Sequence, residues 1–402
     1  MIISKSFKYQ LRLTSEQEQL CNQTIGSCRY IYNKGLALKK ELWEKKKEKL
    51  SRFDLDKLLK EWKKEYDWLS MPPSQSLQQV NKDLDQAFKN FFIGSGYPKF
   101  KKKGINDSFR IPQHITLMRQ LSKKVGQVKL PKLKVVRFTK TREIEGKIRN
   151  VTISKKCSKY YIAFNCKIDI AEPKEKKQSE IGIDRGIKIF AQCSDKTAIY
   201  SVSPLKKNLV KLARLQRRLA KKKKFSSNHR KTKAKINKLY YHISNLRKDF
   251  LHKTSTQLAK SHSLIVMEDL KIKNMSKSAG GTIENPGNNV KAKSKLNRSI
   301  LDQGWSTFKD FLLYKMYWYG GDLILINPKN TSIKCSICSH IAKENRKSLT
   351  KFECVKCKHI ENADLNASKN ILAEGHSVIA CGVEALVSTV KQELQTRKPV
   401  TV

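Results

Sequence analysis

The sequence predicts an α+β, multi-domain protein, and three observations carry that prediction. Strict apolar and polar alternation flanks a block of helical periodicity in the N-terminal part. Short, continuously apolar strands alternate with long helices in the C-terminal part. Two C-x-x-C pairs near the end mark a small metal-braced module. A length of 402 residues with 39% hydrophobic content allows two to four modules with packed cores.

Taken in order, residues 4–13, SKSFKYQLRL, alternate and read as a strand. TSEQEQL then opens a helix. Thr14 or Ser15 can cap it, and Glu16 and Glu18 in the first turn suit the helix dipole. Helical periodicity continues to Phe92, broken at MPPSQS by Pro72 and Pro73. SLQQVNKDLDQAFKNFF is an amphipathic helix with Leu77, Leu84, Phe88, Phe91 and Phe92 on its apolar side. GSGYPKFKKKG, residues 94–104, joins turn formers to an aromatic pair and four lysines. GKIRNVTISKKCSKYYIAFNCKIDI reads as hairpins of an antiparallel barrel or sheet, and AEPKEKKQS, residues 171–179, as a charged linker where the fold changes.

EIGIDRGIKIFAQCSD reads as a buried strand pair. Between Pro204 and Lys253 there are eighteen Lys or Arg and one acid, Asp249, which exceeds what a solvated face needs and predicts a polyanion-binding helical hairpin. Arg214, Arg217, Arg218 and Arg247 are its candidate nucleic-acid contacts. SLIVMEDL is a further buried strand ending in acids, and SKSAGGTIENPGNNVKAKSK a Gly-, Asn- and Ser-rich mobile loop. QGWSTFKDFLLYKMYWYGG is an aromatic helix. The spacing of its Trp305, Tyr314, Trp318 and Tyr319 favours core packing over base stacking. DLILINP is a strand, and DLNASKNILAEG starts a helix with Asp364 near its N-terminus.

A net charge of +49, from 84 Lys and Arg against 35 Asp and Glu, would repel itself without a polyanion to neutralise it, and nucleic acid is the natural partner. No apolar run approaches the roughly 20 residues of a spanning helix, and the N-terminus lacks a signal-type core, so a soluble, cytoplasmic or nucleoid-associated protein is expected. Cys21, Cys28, Cys157, Cys166, Cys193 and Cys381 are scattered and read as buried thiols of a reducing compartment.

The other four cysteines are organised. Cys335 and Cys338, then Cys354 and Cys357, have two residues within each pair and fifteen between pairs. Two such hairpins can close a tetrahedral S4 site, and with every position filled by sulfur the expected zinc is structural. His340 and His359 nearby read as surface residues.

Asp184 ends IGID, Glu268 ends LIVME, and Asp364 precedes a helix. Singly, each reads as a turn former or cap. Three in separate buried elements of a cationic protein have one good joint use, which is to hold hard divalent cations, Mg2+ or Mn2+. Two such ions about 3.5–4 Å apart activate a water and stabilise the leaving oxygen of a phosphodiester.

In order along nearly the whole chain, SFKYQLRLTSEQEQLCNQTIGSCRYIYNKGL, AFKNFF with GYPKFKKK, LPKL, GIDRGIKIFA, RKDFLHK, MEDLKIKNM, GWSTFKDFLLYKMYWYGG, TSIKCSIC and ADLNASKNI resemble segments of the TnpB (OrfB) proteins of insertion sequences, relatives of compact type V CRISPR effectors. The resemblance implies an RNA-guided DNA endonuclease. Its partners would be a guide noncoding RNA from its own element and a double-stranded target DNA beside a short flanking motif, with no membrane. It implies a RuvC-like RNase H fold (α/β) with an inserted zinc ribbon, plus an N-terminal wedge-like antiparallel β-barrel carrying a helical recognition insertion. The implied domains are 1–13 with 94–172 (wedge-like barrel), 14–93 (recognition), 173–179 (linker), 180–330 with 361–376 (nuclease), 331–360 (ribbon) and 377–402 (tail).

Position by position, Asp184, Glu268 and Asp364 match the family's catalytic acids, Glu268 being preferred to Asp269 as the first of its pair. Gln78 matches a position that reads the flanking motif, where a Gln can pair with adenine. Tyr97, Lys99 and Lys101 are expected at backbone phosphates. The chain departs from the family at Ser339 and Lys358, where glycine is common and a left-handed backbone is expected, and at Asn362 and Ala363, which replace an acid and an Arg. Those last departures raise the alternative of a nuclease-weakened RNA-guided DNA-binding protein or repressor. An accessory transposition protein and a ribosomal-type RNA-binding protein are the remaining alternatives.

Overall fold

The computed structural model describes residues 1–118, 122–172, 179–380 and 400–401. The chain separates into two compact units, one built on Met1–Ile170 and one on Ala171–Arg397. Residues 173–178 of the expected linker, Cys381, and 381–399 and 402 of the expected tail lie outside the described residues.

The first unit opens with β1 (Ile2–Arg12), which buries Phe7, Tyr9 and Leu11 on one face as its alternation predicts. Of the two candidate caps, Thr14 starts α1 (Ser15–Lys46): its Oγ1 accepts from Gln17 N–H at 3.3 Å, and Gln17 Oε1 accepts from Thr14 N–H at 3.2 Å. Next come α2 (Arg52–Glu65) and, after Pro72 and Pro73, α3 (Ser74–Phe92). Leu36, Leu55, Leu77 and Leu84 form their common core. Phe92, expected on the apolar side of α3, is 76% exposed. It lies about 100° around the helix from Phe91, outside the stripe set by Leu77 and Leu84.

The strands of this unit are β2 (Ser108–Ile111), β3 (Thr116–Leu117), β4 (Val125–Leu130), β5 (Lys134–Thr139), β6 (Lys147–Lys156) and β7 (Lys159–Asp169). They form an antiparallel sheet in the order β2-β6-β7-β1-β5-β4-β3, and Val400–Thr401 pair in parallel with Lys5 and Ser6. Tyr9, Phe138 and Phe164 pack at its centre with ring centroids 5.2–5.9 Å apart.

The second unit contains β8 (Glu180–Asp184), β9 (Ile189–Cys193), β10 (Ala198–Tyr200), α4 (Pro204–Ala220), α5 (Ser227–Ser261), β11 (Leu264–Glu268), α6 (Ile272–Met275), α7 (Val290–Gln303), α8 (Trp305–Trp318), β12 (Asp322–Ile326), β13 (Lys351–Glu353), β14 (Ile360–Asn362) and α9 (Ala363–Ala380). Its main sheet runs β10-β9-β8-β11-β12, with β9 antiparallel to both neighbours and β8, β11 and β12 parallel. The basic run forms the hairpin α4–α5, sealed by Leu212, Ile236, Leu239 and Ile243. Trp305 and Tyr314 are buried in α8, as their spacing predicts, while Trp318 and Tyr319 are half-buried.

Helix α9 packs on β8 and β11 at close range, which two glycines permit. A Cβ on Gly182 would stand 2.1 Å from the Ser368 carbonyl oxygen, and one on Gly375 would stand 2.4 Å from the Val266 side chain. Two boundaries differ from expectation. The segment VKAKSK, expected in a mobile loop, is the first part of α7, held where Lys293 Nζ donates to the Met275 carbonyl at 2.8 Å and Asn297 Nδ2 donates to the Ser276 and Lys277 carbonyls. Helix α9 continues to Ala380, four residues into the expected tail. Among the scattered thiols, Cys21, Cys28, Cys166 and Cys193 are buried and Cys157 is half-buried.

Candidate metal centre and carboxylate cluster

The four paired cysteines converge. Their Sγ atoms lie within 4.8 Å of one another, with Cys335 to Cys357 at 3.6 Å and Cys338 to Cys354 at 3.5 Å. A tetrahedral zinc with Zn–S bonds of about 2.3 Å sets neighbouring sulfurs about 3.8 Å apart, so the four fit one such ion. Each knuckle is built alike. Cys335 N–H donates to the His340 carbonyl and Cys354 N–H to the His359 carbonyl, both at 2.9 Å. Ser339 N–H and Lys358 N–H close the turns onto the Cys335 and Cys354 carbonyls at 3.0 Å.

Those turns require a left-handed backbone, and Ser339 (φ 58°) and Lys358 (φ 60°) adopt it, as expected where glycine is common. Burial pushes the Cys354 thiol up, but N–H groups of Cys357 and Lys356 and the neighbouring thiols outweigh it and bring the thiol down to about 6. His340 and His359 contribute their carbonyls, and His359 Nε2 faces Glu361 at 3.5 Å.

Sequence reasoning missed the residues that join this module to its surroundings. Asn345 is fully buried between the knuckles: Nδ2 donates to the Ile333 and His340 carbonyls, and Oδ1 accepts from Val355 N–H at 2.9 Å. From α9, Asn366 Nδ2 donates to the Lys334 carbonyl at 2.8 Å, and its Oδ1 accepts from Ser336 N–H at 3.0 Å. Asn370 Nδ2 donates to the Thr331 and Lys334 carbonyls. Two asparagines four apart on a helix share one face, and that spacing is the signal that could have found them.

Asp184 and Glu268 end adjacent parallel strands whose register pairs Ile183 with Met267, which puts the two acids side by side at the strand ends. Asp364 enters from the first turn of α9. Asp184 senses the other two: burial first, then the charges of Glu268 and Asp364, push it up to about 7, against the opposing pull of Arg346. Burial also raises Asp364, against the same Arg346, whose Nη2 lies 3.6 Å from Asp364 Oδ1. Thr331 Oγ1 donates to Glu268 Oε1 at 2.6 Å.

Arg185 is 7% exposed behind the cluster and donates through Nη2 to the Glu268 carbonyl. Asp269 belongs elsewhere, since Lys271 and Lys309 hold its carboxylate below the ordinary range. Asn362, one of the departures, caps α9: its Oδ1 accepts from Asp364 N–H at 3.0 Å and Leu365 N–H at 3.2 Å. Ala363, the other, is buried against Cys335, Phe352 and Cys354, where a longer side chain would not fit without repacking.

Of the candidate nucleic-acid contacts in this unit, Arg214, Arg217 and Arg218 are exposed on α4. Arg247 is committed to Asp302, donating through Nε to its carbonyl at 2.8 Å and through Nη2 to its carboxylate. The same carboxylate accepts from Leu205 N–H at 3.0 Å and caps α4, so Arg247 has a structural role that its place in a basic run conceals. In the first unit, Gln78 is exposed on α3. Tyr97 packs edge-on against Phe88 and Phe91. Lys99 is exposed, and Lys101 sets its Nζ 4.0 Å above the Tyr32 ring.

Three family profiles match in order: a helix-turn-helix domain of the OrfB group over residues 1–48, the OrfB probable transposase over 163–279, and the TNB domain of Cas12f1-like proteins over 305–371. The chain is 45% identical over 381 residues to "Putative RNA-guided DNA endonuclease InsQ" of Escherichia coli K12, covering 94% of each chain. It is 30% identical to a "Putative RNA-guided DNA endonuclease" of Streptomyces pristinaespiralis, covering 94% of this chain and 91% of that one. Its fold resembles the protein in a Cas12f1-sgRNA-target DNA complex, with a TM-score of 0.58 at 15% identity over 92% of this chain and 98% of that one.

Proposed function

The chain belongs to the TnpB (OrfB) family of mobile-element RNA-guided DNA endonucleases, and on that premise we propose that it hydrolyses target-DNA phosphodiesters at Asp184, Glu268 and Asp364, directed by a guide noncoding RNA from its own element. The observation that carries the site is the electrostatic crowding of three carboxylates delivered by two parallel strand ends and one helix N-terminus. Anions forced together in a strongly basic protein are what a divalent cation would relieve.

Three antiparallel strands followed by two parallel ones, in the order β10-β9-β8-β11-β12, support a RuvC-like RNase H fold for the second unit. In this reading the insertion between β12 and α9 is its zinc ribbon, and the sheet of the first unit is the wedge-like barrel with α1–α3 as the recognition insertion.

Asp184, Glu268 and Asp364 would hold Mg2+, or Mn2+, which supplies an activated water and charge stabilisation at the leaving oxygen. The chain's own residues do the rest. Arg185 ties the end of β11 to the residue after Asp184 and fixes the spacing of two acids. Arg346, reaching in from the ribbon, pairs with Asp364 and opposes the upward push on Asp364 and Asp184. Arg214, Arg217 and Arg218 on the α4–α5 hairpin meet nucleic-acid phosphates, while Gln78 reads the flanking duplex motif and Tyr97, Lys99 and Lys101 meet its backbone.

Co-expression with native flanking DNA, sequencing of the RNA that copurifies, and incubation with matched plasmids in Mg2+ test this reading. A discrete bound RNA with programmed cutting supports it; the absence of a discrete RNA contradicts it.

A further inference from the structure

We propose that Thr331 positions the Glu268 carboxylate for the divalent metal, making the loop that enters the zinc ribbon a working part of the nuclease site. The inference rests on the assignment of Glu268 above. Thr331 lies between β12 and Cys335 and is 6% exposed. Its hydroxyl has one proton and two acceptors within reach, the Glu268 carboxylate at 2.6 Å and the Pro328 carbonyl at 3.2 Å. The shorter contact is to the charged group, and 2.6 Å is the length of a charge-assisted bond.

Glu268 stands at the end of a strand on a side chain with three rotatable bonds, so its carboxylate needs an anchor to be ready for a metal. Threonine suits that task better than serine, since its branched Cβ restricts χ1.

The anchor is itself fixed. The Thr331 carbonyl accepts from Asn370 Nδ2 at 3.0 Å, Asn370 also donates to the Lys334 carbonyl at 2.6 Å, and Asn366 bridges the Lys334 carbonyl and Ser336 N–H. An unbroken line of hydrogen bonds therefore runs from Glu268 through Thr331 to α9, which carries Asp364, and to the first cysteine knuckle. Neighbours that orient metal ligands in this way typically change metal affinity or activity by about 10–100-fold when removed.

Thr331→Val keeps the shape and removes the hydroxyl; Thr331→Ser keeps the hydroxyl. Both are compared with the natural protein, as guide-RNA complexes, by Mn2+ titration read through the free-ion EPR signal, by zinc content and melting temperature, and by the Mg2+ dependence of cleavage. Thr331→Val is expected to weaken Mn2+ binding and raise the half-saturating Mg2+ concentration by about tenfold or more, with zinc content retained, and Thr331→Ser to restore both to within about threefold. Unchanged Mn2+ affinity in Thr331→Val, or equal impairment of the two variants, overturns the proposal. If Thr331→Val lowers folded yield, Thr331→Ala takes its place against Thr331→Ser. Glu268→Ala separates the two claims. If it leaves Mn2+ binding and cleavage intact, the site assignment falls and this inference with it. If it abolishes both while Thr331→Val changes nothing, this inference alone falls.

Discussion

Arg346 Nη2 lies 3.6 Å from Asp364 Oδ1, so a side chain of the cysteine-braced insertion reaches the helix that carries the third carboxylate. The same guanidinium opposes the upward push on Asp184. The insertion is thus electrically part of the cluster as well as its mechanical neighbour. Arg346→Met, which keeps the apolar stem and loses the charge, should lower the cleavage rate about 10–100-fold while leaving zinc content and guide-RNA binding unchanged. Single-turnover cleavage of a matched target measures it.

The cysteine site makes a separate prediction about stability. Cys335→Ser or Cys354→Ser replaces a buried sulfur whose knuckle also organises backbone N–H groups, so folded yield and zinc content should fall together. Elemental analysis beside a thermal melt checks this. Wild-type zinc stoichiometry and melting in both variants would remove the metal from the account.

Ser339 and Lys358 hold left-handed backbone in the two knuckle turns. Glycine relieves that strain but adds freedom to the unfolded chain, so each of Ser339→Gly and Lys358→Gly should be net stabilising by roughly 0.5–1 kcal/mol. The corresponding rise in melting temperature is about 1–3 °C.

Asp184 gives a pH dependence with a definite sign. Its folded value without a divalent metal is about 7, against about 4 in an unfolded chain. Above pH 7 it is ionised in both states, and the folded state bears the cost of crowded charge. As pH falls from about 7 to about 4 the folded protein takes up a proton that the unfolded chain does not, so stability rises across that window. Asp184→Asn should therefore melt higher than the natural protein at pH 8 without Mg2+, with the gap narrowing below about pH 7 and closing by about pH 4. A gap independent of pH would contradict the crowding.

Much of this was legible in the sequence wherever a local pattern carries the information. Cysteine spacing, the prolines before α3 and the acids ending apolar runs each report on a window of a few residues, and the structure has them as read; of the two caps offered, Thr14 is the one used. What was not legible depends on partners far along the chain. Thr331 meets Glu268 across 63 positions and Arg247 meets Asp302 across 55, and nothing in NPKNTSIKC or NLRKDF announces either. The start of α7 was hidden because lysines alternate with small residues through its first turns, and tertiary bonds from Lys293 and Asn297 outweigh its weak periodicity.

The most direct test of the central claim compares the natural protein with Asp184→Asn, each copurified with its guide RNA, for binding and cutting of one matched target in Mg2+. Equal RNA content and target binding are expected, with cutting reduced at least about a thousandfold in the variant. Cutting at the natural rate by Asp184→Asn would show that the carboxylate cluster is not where the phosphodiester is hydrolysed.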